Sequence, residues 1–124
     1  MRTFKTKSFV RFANREKIDD VALRAAICRA CRGVIDADLG GGVIKVRVAR
    51  TGGGRSGGFR LVVLFKEGEM AFFVYGFAKS SRATLRPNEL EVYRLLADEY
   101  LGLDEEGIEA AKRVGAIVEV EGDD

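Results

Sequence analysis

Between residues 41 and 86 the chain carries nine basic side chains: Lys45, Arg47, Arg50, Arg55, Arg60, Lys66, Lys79, Arg82 and Arg86. Only Glu67 and Glu69 oppose them. Arginine offers a planar fork of donors and lysine a compact charge, and cations of both kinds converging on one spot suit phosphate. Exposed sheet faces ordinarily mix both signs, so a one-signed stretch points to a polyanion. Phe59, Tyr75 and Phe77 are interleaved with the cations and could stack on bases, whereas Phe59, Phe73 and Phe77 suit core packing equally well. The run Thr51-Gly52-Gly53-Gly54-Arg55-Ser56-Gly57-Gly58 is glycine-rich but is no P-loop, because neither Gly-Lys-Ser/Thr nor a helix follows it.

Cys28 and Cys31 form one C-x-x-C. With no histidine and no second cysteine pair in the sequence, a closed structural zinc site within the chain fails on ligand count. The pair also falls inside an expected helix, where small apolar thiols serve packing, so neither a metal nor another cofactor is expected.

The elements that must position the cations follow from periodicity. Arg2–Thr6 reads as a short strand, and Lys7–Arg15 as a first helix with Phe9, Phe12 and Ala13 on one side. Asp19 or Asp20 opens a second helix to about Arg32, with Leu23, Ile27, Ala30 and Cys31 facing inward and Gly33 at its end. Val34–Gly42 reads as a turn segment. The period then changes to two: Ile44, Val46 and Val48 alternate with Lys45, Arg47 and Ala49 in a half-buried strand over Val43–Arg50. Phe59–Lys66 and Met70–Lys79 are two more strands joined at Glu67-Gly68-Glu69, the second apolar on both faces and therefore central. In such a meander Arg60 and Lys79 are expected as neighbours. Pro87, Asn88 and Glu91 open a helix to about Leu101, Asp104 caps another to about Val114, and Ile117–Val120 closes the sheet. The order β-α-α-β-β-β-α-α-β defines an α+β domain with a mostly antiparallel sheet.

Length and composition agree. At 124 residues, 47 % hydrophobic and 32 % charged, the chain is expected to fold as one domain. The net charge of +2 conceals an asymmetry: residues 1–103 hold 19 Lys and Arg against 11 Asp and Glu, and residues 104–124 hold 2 against 8. We therefore read residues 1–103 as the basic body of the domain and residues 104–124 as an acidic extension of it, which either folds back on the basic face or keeps the chain soluble. The longest apolar stretch, Met70–Ala78, is too short to span a membrane, and no apolar segment follows the charges of the amino terminus, so a cytoplasmic location is expected.

Two linked motifs carry a resemblance. Lys45-Val-Arg-Val-Ala-Arg-Thr-Gly-Gly-Gly-Arg-Ser-Gly-Gly-Phe-Arg60, followed by Phe73-Val-Tyr-Gly-Phe-Ala-Lys79-Ser-Ser-Arg82, resembles the RelE/HigB branch of the RelE/ParE toxins of type II toxin–antitoxin systems, over about residues 2–102. The resemblance implies a microbial RNase fold, with two helices packed on an antiparallel sheet. It also implies a metal-independent endoribonuclease, an mRNA interferase that enters the ribosomal A site and inhibits translation. In that chemistry the ribose 2′-hydroxyl attacks the adjacent phosphate. Arg60 and Arg82 would clamp that phosphate, and Lys79 would transfer a proton or stabilise charge. Lys45 and Arg47 would hold RNA backbone, with Arg50, Arg55, Tyr75 and Arg86 as further RNA contacts. The implied partners are mRNA, the ribosome and a cognate antitoxin, with or without a helix-turn-helix DNA-binding domain. Two positions depart from the RelE pattern: Ser80 stands where an arginine follows the lysine, and Arg86 near where a tyrosine handles protons. With no histidine, the general base is open.

Two other readings keep the fold: a ParE-like toxin acting on DNA gyrase, and a module that binds RNA or protein without chemistry.

Overall fold

The computed structural model describes residues 1–49, 58–79 and 85–122. Among these, six strands form one sheet: β1 (Arg2–Thr6), β2 (Ala37–Gly40), β3 (Val43–Ala49), β4 (Gly58–Lys66), β5 (Met70–Ala78) and β6 (Ile117–Glu119). The helices are α1 (Lys7–Glu16), α2 (Asp20–Cys31), α3 (Pro87–Tyr100) and α4 (Glu105–Arg113). The spatial order is β2-β3-β4-β5-β1-β6, antiparallel except for the β1–β5 pair. The domain is α+β, as its periodicities indicate. None of the described helices is long and apolar enough to cross a membrane.

Strand alternation divides the sheet into two buried faces. Ile44, Val46, Val48, Phe59, Leu61, Val63 and Phe73 pack against Phe9 and Ala13 of α1 and Leu23, Ala26, Ile27 and Ala30 of α2. Val43, Val62, Leu64, Phe72 and Phe77 point the other way, into a second core completed by Ala97 of α3 and Ile108 of α4. Helix starts follow side-chain chemistry. Asp19 accepts from the Ala22 amide at the head of α2, and Asp104 from the Gly107 amide at the head of α4.

Three expectations change. Val34–Gly42 is not all turn: Ala37–Gly40 pairs with β3 as an edge strand, its register shifting between Asp38 and Gly40, an irregularity that hides the period of two. Helix α3 is capped at Arg86, not at Asn88, because the Arg86 amide donates to the Glu89 carboxylate at 2.8 Å. Finally, β5 is not a uniform strand. Val63 pairs with Phe73 and Val62 with Tyr75, so Val74 is an extra residue. This bulge resets the alternation. Beyond it, Tyr75 and Phe77 sit opposite Val62 and Arg60, on the face that also carries Lys45 and Arg47.

Candidate functional site

Lys45 and Arg47 project from one face of β3, and Arg60 of β4 pairs directly with Arg47. Two like charges opposite each other in a ladder repel. The structure answers this with Asp36, in the bend just before β2. Its carboxylate lies 3.4 Å from Lys45 Nζ, accepts from Arg47 Nε at 2.9 Å and lies 3.3 Å from Arg60 Nε. Three cations on one carboxylate leave the cluster two positive charges in excess.

Burial pushes the Asp36 carboxyl up, but the Arg47 hydrogen bond and the charges of Arg60 and Lys45 outweigh it and hold the group below the usual carboxylate range. Lys45 and Arg60 are only 8 % and 9 % exposed, whereas the Arg47 side chain is 67 % exposed. The convergence expected of these cations is found, but not as an open face. The inner members are sunk into the sheet and share an internal counter-ion, because three positive charges packed this closely need one. A hollow of about 310 Å³ opens beside the cluster, lined by Arg29, Val34, Ile35, Asp36, Val46 and Arg47. Arg29 of α2 closes one side by donating from Nη2 to the Arg47 carbonyl at 2.9 Å.

The other described site residues are placed as follows. Lys79 follows β5 and is exposed; its amide donates to the Gly58 carbonyl at 3.0 Å, which sets it level with the start of β4, two residues from Arg60. Tyr75 is half-buried, with its ring 5.9 Å from Phe77 and stacked at 6.0 Å on Tyr93 of α3, and it lines two surface hollows. Phe59, Phe73 and Phe77 are buried core residues and offer no face to a base. Arg86 is exposed at the head of α3, next to the buried Leu85. Arg50, Arg55 and Arg82 lie outside the described residues.

Three acidic residues of the extension are engaged away from this centre. Glu105, Glu109 and Glu119 pair with Arg2, and Glu109 and Glu119 also with Lys112, beside β6 at the edge of the sheet opposite β2. A fold-back onto the basic face is therefore corrected for these three: their charge is spent on Arg2 and Lys112.

Sequence reasoning missed Asp36 and Arg29. Asp36 was hidden in a segment read as turn, yet it is an acidic residue just ahead of a basic alternating strand, a signal that a counter-ion can reach back across the edge. Arg29 acts through the backbone of Arg47, and no pattern in side-chain types announces that.

The family model for the RelE toxin of the RelE/RelB toxin–antitoxin system matches residues 1–120. No curated protein sequence matches the chain at a significant level. A match that takes in both motif strands, the helices on either face and the closing strand covers nearly the whole chain, and so the chain belongs to the RelE toxin family and is the toxin of a toxin–antitoxin system, with an antitoxin as its implied partner.

Proposed function

We propose that this toxin is a ribosome-dependent mRNA endonuclease that cuts by intramolecular attack of a ribose 2′-hydroxyl on the adjacent phosphate. The observation that carries the reading is the convergence of Lys45, Arg47 and Arg60 on one point with net positive charge, level with Lys79. The bond formed joins the 2′-oxygen to phosphorus as the hydroxyl proton passes to solvent, and the bond broken releases the 5′-oxygen, which takes up a proton. Negative charge grows on the non-bridging oxygens during this step, and fixed cations are the groups that stabilise it. Arg60, held by the sheet and by Asp36, is pre-set to receive that charge. Arg47, mostly exposed, can leave Asp36 for an RNA phosphate, and Lys79 is the group to protonate the leaving oxygen. Arg82 joins Arg60 in the clamp, and Lys45, Arg50, Arg55 and Arg86 track the RNA backbone. Solvent access on the cytoplasmic side of the cell, where ribosomes work, belongs to the same proposal.

The test supplies purified toxin with programmed ribosomes and a defined message. Wild type is expected to cut in the presence of ribosomes, and Arg60→Ala to lose about 100-fold or more in rate, the usual effect of deleting one preset electrostatic partner of a transition state. Asp36 keeps Lys45 and Arg47 in that variant, so its circular dichroism should be native. Undiminished cutting by Arg60→Ala removes Arg60 from the mechanism.

The burial of Lys45 and Arg60 favours a second reading, a module that binds RNA and performs no chemistry. The same assay separates the two: salt-dependent binding to ribosomes or RNA with no cleavage by the wild type selects the second.

A further inference from the structure

In a hollow that shares no lining residue with the one beside the cationic cluster, the C-x-x-C pair meets a third sulfur. Cys28 and Cys31 are both free thiols and both exposed, so the inward-facing, packing role expected of them is corrected: Leu23, Ala26, Ile27 and Ala30 fill the buried stripe of α2 instead. One helical turn apart, they lie on neighbouring positions of the helix surface. The two line a hollow of about 290 Å³ together with Met1, Thr3, Arg24, Ile27 and Arg32. The Cys31 thiol points at the Met1 thioether, Sγ to Sδ 3.7 Å.

That separation is informative. Two sulfurs each ~2.3 Å from a common ion stand ~3.8 Å apart at a tetrahedral angle and ~4.0 Å apart in a trigonal plane. Met1 and Cys31 are therefore already spaced as two ligands of one ion, and Cys28 supplies a third sulfur on the same hollow. The donor set decides the ion. Thiolate with thioether selects soft, monovalent Cu(I), while zinc prefers four ligands from thiolate, imidazole or carboxylate. Among the described residues no group of three or more His, Cys, Asp or Glu is placed to hold a metal ion, and no carboxylate lines this hollow. Charge agrees. Two thiolates and a neutral thioether around a monovalent ion carry a net −1, and Arg24 and Arg32 line the same hollow to offset it.

We propose that Cys28, Cys31 and Met1 form a three-sulfur site for Cu(I), separate from the cationic cluster and tying the start of β1 to the end of α2. Loading releases both thiol protons and changes no oxidation state.

The probe is Cu(I) itself, titrated without oxygen into the full chain against a chromophoric Cu(I) chelator. One ion per chain is expected, and Cys28→Ser or Cys31→Ser should each weaken retention by about 100-fold. Because both thiols are at the surface, serine is compatible with the fold, and circular dichroism checks it. In selenomethionine protein, copper X-ray absorption should show a selenium neighbour; it reports Met1, since the other methionine, Met70, is partly buried against the core on the far face of the sheet. Retention unchanged in the Cys28→Ser/Cys31→Ser double variant, an ion shared by two chains, or bound copper with no selenium neighbour would each overturn the site.

Discussion

Arg47 and Arg60 face one another across the β3–β4 ladder, and two guanidinium groups so placed stabilise nothing until a carboxylate stands between them. Asp36 does this. Under the proposed function, an RNA phosphate would have to compete with this carboxylate for the same cations. Asp36→Asn is expected to tighten RNA binding several-fold and to steepen its decline with salt, because one more cation is left for phosphate; filter binding across a salt series measures both. The same change should lower folding stability by about 1–2 kcal/mol, since the amide keeps some hydrogen bonding but leaves the cations mutually exposed, and urea unfolding checks this. Weaker RNA binding by a folded Asp36→Asn protein would show instead that orientation of Arg47 and Arg60 matters more than competition. The cations themselves were legible from alternation and one-sided charge. Asp36 was not, because a lone aspartate near glycines reads as turn chemistry until the strand beside it is seen.

The bulge at Val74 is the element that places Lys79 near Arg60. An unbroken strand would put Val74, Gly76 and Ala78 on that face and turn Tyr75, Phe77 and Lys79 to the other. No sequence period announces a single inserted residue in a strand that is apolar on both sides, so the neighbourhood of Arg60 and Lys79 was legible only as topology. Gly76 shows how closely the other face is packed. A Cβ there would lie 2.3 Å from the Phe12 ring of α1, at an ordinary backbone conformation, so the requirement is one of space. Gly76→Ala is expected to displace Phe12 and cost about 1–3 kcal/mol in chemical denaturation. At the head of α4, where the cap was legible from Asp104 alone, Asp104→Ala should cost about 1 kcal/mol by the same measurement. Asp104 lies away from the cationic centre, so any RNA affinity Asp104→Ala loses beyond the folded fraction would contradict the placement of the site.

At the scale of the molecule, periodicity and charge asymmetry were enough for the fold class and for a basic body. They did not reveal where the acidic residues go, because the partner they share, Arg2, lies more than a hundred positions away in the chain. Arg2 is held by Glu105, Glu109 and Glu119, with Lys112 joining the last two. The Arg2 hydrogen bond, with Lys112 in support, brings the Glu119 carboxyl from 4.5 down to about 2. A carboxyl depressed on folding contributes stability that is complete above its unfolded value and disappears as pH falls toward its folded one. Thermal melts of the wild type should therefore lose stability between about pH 4.5 and pH 2, and Glu119→Gln should flatten that part of the curve. An identical acid limb in the variant would remove Glu119 from the network. The position of β1, parallel to β5 on one side and antiparallel to β6 on the other, has a bearing on how the toxin is made. The first strand to leave the ribosome finds its neighbours only at residues 70–73 and 117–119, whereas β3, β4 and β5 can pair as soon as each is synthesised. Long-range closure is the slow part of such a topology. The topology predicts that the cation-bearing hairpins form early and that β1 and β6 seal the sheet last, an interval of incompleteness that pulsed hydrogen exchange during refolding would detect as late protection of residues 2–6 and 117–119.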